Sequence, residues 1–119
     1  MSDIRATTIS DAAGTGPITL TGQSAAKAWA SFNGTASPLS LEDSFNTSSL
    51  TDNGAGNHHV NFTNNMNNAY YYANADANAT RIANAEGREA SRVQIRIANS
   101  SGTGVDRAGT RAITVGDLA

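Results

Sequence analysis

Apolar and polar residues alternate with period two in several short segments of this 119-residue chain. The clearest segment has Val93, Ile95 and Ile97 at every second position, which is the pattern of a β-strand with one buried face. The same alternation occurs at residues 27–33, 39–45, 60–62 and 113–115. Helical periodicity is almost absent, because the candidate segment 73–90 has Ile82 as its only large apolar residue and therefore no apolar stripe to bury. We predict a loop or a weak strand in that segment.

Glycine and asparagine residues separate the predicted strands at short intervals, as at Asn33-Gly34, and they suit turns because they tolerate positive φ. We therefore predict an all-β fold, a compact antiparallel sandwich or barrel of six to seven short strands in residues 25–119. Residues 1–24 differ, since their apolar residues are too widely spaced to build a sheet core. We interpret this segment as an extended N-terminal arm that docks on a partner.

The aromatic residues of segment 27–33 need cover on both faces of their strand. Trp29 and Phe32 have opposite parity, so their side chains point to opposite faces. One face can pack on the protein's own sheet, and the other can pack on a neighbouring chain. The residues that we predict to lie in the core or in a subunit interface are Trp29, Phe32, Phe45, Phe62, Val93, Ile95 and Ile97.

The composition leaves little material for a large core. Leu, Ile, Val and Phe account for 19 of 119 residues, about 16%, and the formal net charge is only −2. A short domain so poor in large apolar groups buries little stabilising area, so we expect an obligate oligomer. No apolar run approaches the roughly 20 residues of a membrane-spanning helix, and the basic residues are too scattered for a nucleic-acid surface. We therefore expect no membrane insertion and no nucleic-acid partner.

Candidate chemistry is limited to two histidines and an asparagine-rich segment. Adjacent residues of a strand point to opposite faces, so His58 and His59 cannot chelate one ion within one chain, although an oligomer axis could gather one histidine from each copy. Segment 61–78 combines asparagines with three consecutive tyrosines. Amide groups beside aromatic rings are typical of a saccharide-binding surface. The alternative is that these asparagines only form turns. No acid pair, serine or glycine-rich loop has the arrangement of a catalytic or phosphate site, so we predict no enzyme, no cofactor and no metal site. The candidate surface or receptor contacts are His58, His59, Asn64, Asn65 and Tyr71.

Several segments of the chain carry longer sequence motifs. Residues 25–35 read AAKAWASFNGT, residues 43–56 read DSFNTSSLTDNGAG, and residues 60–63 read VNFT. The first of these looks like an AKAW-NFNGT signature, and residues 8–17, TISDAAGTGP, are similar to a segment near the start of proteins that carry this signature. Residues 93–99, VQIRIAN, and 113–116, ITVG, fall where the closing strands of those proteins fall. With these segments the chain resembles, over nearly its full length, the small tail-fibre and tail-tip proteins of tailed bacteriophages.

The resemblance implies a structural protein of a bacteriophage virion, most simply a tail-fibre or tail-tip subunit that takes part in attachment to the host surface. It implies a β-rich homotrimer without catalytic residues, assembled in the host cytoplasm and located in the virion. The implied partners are other copies of the chain, other virion proteins through the arm, and a host surface glycan. A capsid decoration (cement) protein and a lectin-like carbohydrate-binding module are the two alternatives.

Overall fold

Two four-stranded β-sheets make up the described part of the chain. The computed structural model describes Ala13, residues 25–79 and residues 82–119. Within these residues the chain forms eight β-strands, and neighbouring strands of each sheet pair antiparallel. The strands are β1 (Ala26–Asn33), β2 (Ser40–Phe45), β3 (Thr47–Asp52), β4 (Asn57–Phe62), β5 (Tyr72–Ala77), β6 (Ile82–Glu89), β7 (Arg92–Ala98) and β8 (Thr110–Val115). Sheet 1 has the strand order β2-β1-β8-β5, and sheet 2 has the order β3-β4-β7-β6.

The predicted all-β antiparallel fold is confirmed, and the two sheets make it an open sandwich rather than a closed barrel. The described residues contain eight strands instead of the predicted six to seven, because most of segment 73–90 belongs to β5 and β6. Alanines occupy the inward positions of β5, as with the buried Ala75, so the period-two signal of large apolar residues is missing there. Apart from Ala13, the predicted arm of residues 1–24 lies outside the described residues.

Apart from Phe32, mostly small side chains cover the inner face of sheet 1. Ala28, Ala30, Ala75 and Ala112 are all buried there. The buried side chains of sheet 2 are larger, since β4 contributes Val60 and Phe62, and β7 contributes Val93, Ile95 and Ile97. Small residues facing large ones allow two sheets to pack closely without voids, which partly offsets the low content of large apolar residues.

Two threonines of β8 are also buried on this inner face. Thr110 Oγ1 donates a hydrogen bond to the carbonyl oxygen of Arg107 at 2.9 Å, and Thr114 Oγ1 donates to that of Ala28 at 3.2 Å. Buried hydroxyl groups are costly only when they have no partner. These threonines therefore fill the core beside alanine without leaving a polar group unpaired.

Phe32 is buried on the inner face of sheet 1, but three other large apolar side chains of this sheet lie on its outer face. Trp29 pairs directly with Phe45 on one side and with Ile113 on the other, so the three side chains form an apolar row across β2, β1 and β8. Phe45 is 54% exposed, Ile113 is 42% exposed, and Trp29 is half-buried. Phe45 therefore does not belong to the core of this chain, and Trp29 belongs to it only in part, because both side chains lie on the outer face of sheet 1. The predicted core residues that the structure buries are Phe32, Phe62, Val93, Ile95 and Ile97.

One asparagine connects the two sheets at the corner between β2 and β3. Asn46 has a positive φ of 53°, and its amide donates hydrogen bonds to the carbonyl oxygens of Lys27 and Asn64, each at 3.0 Å. Its Oδ1 accepts a hydrogen bond from the Asn64 backbone N–H at 2.7 Å. Asparagine tolerates this backbone conformation better than most residues, so one residue makes the turn and holds the loop after β4.

The close packing of the sheets predicts that added volume on the inner face of sheet 1 is destabilising. We expect Ala112→Leu to lower the free energy of unfolding by about 1–3 kcal/mol, because the extra methylenes would meet the opposite sheet. Ala108→Leu makes the same change at an exposed position, and we expect it to stay within about 0.5 kcal/mol of the unaltered protein. Urea unfolding followed by circular dichroism measures both values, and equal stabilities of the two variants would contradict the prediction.

Candidate functional site

Tyr71 is buried and fixes the chain just before β5. Its side chain is 5% exposed, and its ring meets Phe62 edge-on with centroids 5.8 Å apart. The hydroxyl oxygen lies 2.7 Å from the carbonyl oxygen of Arg92 and 3.1 Å from that of Glu89, so its proton is donated into the end of the β6–β7 hairpin. Burial raises the pKa of Tyr71 to about 12, because it disfavours the charged phenolate. Tyr71 is therefore a core anchor, and its prediction as a surface contact is wrong.

A glycine makes room for this anchor. A Cβ atom at Gly116 would lie 2.7 Å from Tyr71 Cβ and 3.1 Å from Met66 Cε. Both distances are shorter than carbon atoms in contact adopt, so a larger residue at position 116 would displace the tyrosine. The position of Tyr71 thus depends on the residue that follows β8.

The residues on either side of Tyr71 are exposed. Tyr70 is 94% exposed and Tyr72 is 65% exposed. The backbone N–H of Tyr70 donates to Asn68 Oδ1 at 2.8 Å, which holds the chain as it approaches β5. The two tyrosines are only two residues apart in the chain, so they present neighbouring aromatic groups to solvent.

The outer face of β5 continues this exposed surface with polar residues. Asn74 and Asp76 follow Tyr72 at every second position and are exposed. Tyr70, Tyr72, Asn74 and Asp76 are called the β5 track below. Asp76 Oδ1 accepts a hydrogen bond from Arg111 Nε at 2.7 Å, so the negative charge of the track is paired with a neighbouring positive charge. The track therefore offers aromatic rings and hydrogen-bonding groups with little net charge.

The β5 track borders a shallow depression on the outer face of sheet 1. The depression has a volume of about 310 Å³, and Trp29, Ile113 and Arg111 line it together with Asn74 and Asp76. Asn74 lies opposite Ile113 in the strand register, so the amide is next to the end of the apolar row. Aromatic, apolar and polar groups thus meet on one continuous surface across β1, β8 and β5.

The two histidines lie on opposite faces of β4, as their adjacency predicts. His58 is fully buried beside Phe32, with ring centroids 5.6 Å apart, so its prediction as a surface contact is wrong. Its Nδ1 lies 3.7 Å from Asp52 Oδ1, and its Nε2 lies 3.4 Å from Asp106 Oδ1. Burial lowers the pKa of His58 below its usual 6.5, and the attraction of Asp106 and Asp52 opposes this shift. His59 is half-buried on the other face, and burial lowers its pKa too.

The five contact residues predicted from the sequence do not form one site. His58 and Tyr71 lie in the core, and His59 lies on the other face of β4 from His58. Asn64 and Asn65 are exposed in the loop after β4, where the backbone of Asn64 is held by Asn46.

Tyr70, Tyr72 and Asn74 are not among the predicted contacts, because the sequence does not say which of three consecutive tyrosines is buried. The signal for the outer face of β5 is the alternation of Asn74 and Asp76 with alanines at positions 73, 75 and 77. That alternation contains no large apolar residue, so it does not by itself reveal a strand. Once the strand is known, the alternation indicates that Tyr72 shares the outer face with Asn74 and that Tyr71 points inward.

Among residues 25–79 and 82–119, no group of three or more histidine, aspartate or glutamate side chains is arranged to hold a metal ion. The same residues include no helix long and apolar enough to cross a membrane. No protein-family model, curated protein or solved structure matches this chain.

The burial of His58 predicts a loss of stability in mild acid. The unfolded chain binds a proton near the usual pKa of 6.5, whereas the folded chain binds it only at a lower pH. The free energy of unfolding should therefore be at its full value above about pH 6.5 and fall as the pH drops below it, until the pH passes the lowered pKa. Urea unfolding between about pH 7.5 and 5.5 measures this slope.

Two variants assign that slope to one residue. We expect His58→Gln to flatten the pH dependence whatever its effect on absolute stability, because glutamine does not titrate. His59→Gln is the matched control and should keep most of the slope, since His59 is less buried. Equal slopes in His58→Gln and the unaltered protein would show that His58 is not the group responsible.

Proposed function

We propose that this chain is a structural subunit of a bacteriophage virion, in a tail fibre or tail tip, and that it takes part in attachment to the host surface. The observation that carries the proposal is the apolar row formed by Phe45, Trp29 and Ile113 on the outer face of sheet 1. Such a row is what a chain needs if its fold is completed by other copies of itself.

Exposure of the apolar row to water is unfavourable for an isolated chain. Soluble monomers rarely expose contiguous apolar patches larger than roughly a few hundred Å², and each buried apolar Å² contributes about 25 cal/mol of stabilisation. The cross-strand pairing places the three side chains side by side, so one partner surface can cover all of them. Closed symmetric assemblies of identical chains bury such patches repeatedly, and a homotrimer is the assembly proposed here.

The sequence resemblance and the row involve the same strand. Residues 25–35 carry the fibre-like AAKAWASFNGT segment and include β1, which lies inside the order of sheet 1. Trp29 of this segment is the central member of the row, while Phe32 is fully buried in the core. One segment thus supplies both the inner packing of sheet 1 and the surface proposed for assembly.

A lectin-like module that acts outside a particle is the second candidate function, and one observation favours it. Tyr70 and Tyr72 are exposed aromatic residues beside exposed amide groups. A capsid decoration protein would use the same apolar row to contact copies or capsid proteins. Location in the particle separates the three functions.

The assembly surface predicts a change in oligomeric state. We expect Phe45→Ser to shift the purified protein from trimers towards monomers in analytical ultracentrifugation, with an unchanged circular dichroism spectrum, because Phe45 is exposed in the single chain. Ile82→Ser removes a similarly exposed apolar residue from β6, outside the row, and should leave the trimer intact. A folded monomer of the unaltered protein at all concentrations would contradict the assembly proposal.

The virion proposal predicts a definite position in the particle. Electron microscopy of particles carrying an affinity-labelled copy of the chain should place the label on the tail fibre or tail tip. Label on the capsid surface would favour the decoration protein. Free protein that never associates with particles would favour the lectin-like module.

A further inference from the structure

We infer that the β5 track is a binding surface for a neutral saccharide chain, with Tyr70 and Tyr72 as stacking groups and Asn74 as a hydrogen-bonding group. The inference rests on the proposed role in attachment and gives that role a receptor class. It replaces the scattered contacts predicted from the sequence with four exposed residues of β5 and of the segment that leads into it.

The fold holds the backbone that carries the two tyrosines. Tyr71 between them is buried and hydrogen-bonded to the β6–β7 hairpin, so the chain is held at this point and the flanking rings are directed away from the core. Tyr70 is further held by the bond from its backbone N–H to Asn68 Oδ1. A backbone that is already ordered loses less conformational entropy when the surface binds a ligand.

The chemistry of the track matches a saccharide. Sugar rings have apolar C–H faces that pack on aromatic rings, and their hydroxyl groups need partners that both donate and accept hydrogen bonds. Tyrosine combines an apolar ring with a polar hydroxyl, and the amide of Asn74 donates and accepts. The alternation of Tyr72, Asn74 and Asp76 along β5 spreads these groups over several sugar units.

The charges favour a neutral chain over an anionic one. Binding of carboxylate or sulfate groups needs available cations, but the guanidinium next to the track, that of Arg111, is occupied. Its Nε bonds Asp76 Oδ1 at 2.7 Å, and its Nη2 bonds Asn78 Oδ1 at 3.2 Å. The Asp76 carboxylate and the Arg111 guanidinium can still form hydrogen bonds with sugar hydroxyls, and the ion pair has no net charge.

The test is affinity electrophoresis of the full chain through gels that contain dextran, mannan or galactan, with hyaluronate as the anionic comparison. We expect at least one neutral polysaccharide to retard the protein and hyaluronate to have no effect. Retardation by none of the neutral polysaccharides, or by hyaluronate alone, would overturn the inference.

Substitutions locate the binding surface. Tyr70→Ala and Tyr72→Ala should each weaken the retarding interaction about tenfold, as truncation of an aromatic contact residue commonly does. Tyr72→Phe keeps the ring and should retain most of the binding. Unchanged binding in both alanine variants, or equal loss in Tyr72→Ala and Tyr72→Phe, would contradict stacking on these rings.

The Phe45→Ser variant separates this inference from the assembly proposal. Phe45 pairs with Trp29 on the side away from β5, so its replacement should leave retardation of the single chain measurable. Loss of trimers with retained saccharide binding would show that binding at the β5 track does not depend on assembly. Intact trimers on the virion tail without saccharide binding would support the virion role and refute the track.

Discussion

The small side chains on the inner face of sheet 1 are the constraint on which the rest of this structure depends. Ala30, Ala75 and Ala112 leave room for the larger side chains of sheet 2, so a chain with few large apolar residues still forms a closely packed core. The same arrangement determines what sheet 1 exposes. Strands alternate their side chains, so alanine on the inner face places Trp29 and Ile113 on the outer face.

Two polar residues, each with several hydrogen-bond partners, stabilise the structure at the two edges of sheet 1. Asn46 connects β2, the start of β1 and the loop after β4 through its amide, and Tyr71 connects the start of β5 to the β6–β7 hairpin through its hydroxyl. In a core with limited apolar area, such bonds contribute much of the specificity, because an unpaired buried group costs more than a pair gains. These two residues also order the loop that leads to the β5 track.

Sheet 1 carries two adjoining surfaces of different chemistry. The apolar row of Phe45, Trp29 and Ile113 has few polar groups and suits burial against another copy. The β5 track alternates aromatic and polar groups and pairs its charge internally, which suits a hydrated ligand. The proposed attachment role would use both properties, one for assembly and one for contacting the cell. Their separation on different strands allows each to be altered without the other.

Period-two alternation in the sequence is sufficient to predict β1, β4 and β7, and parity alone predicts that Trp29 and Phe32, like the two histidines, point to opposite faces. These features are local, because they depend only on the geometry of an extended chain. The tertiary structure decided which face is buried. Alanine strands such as β5 carry no pattern of large residues, and burial of Tyr71 rather than Tyr70 depends on space beside Phe62 and Gly116, residues distant in the chain. Likewise His58 is in the core because Phe32 of the other sheet packs against it.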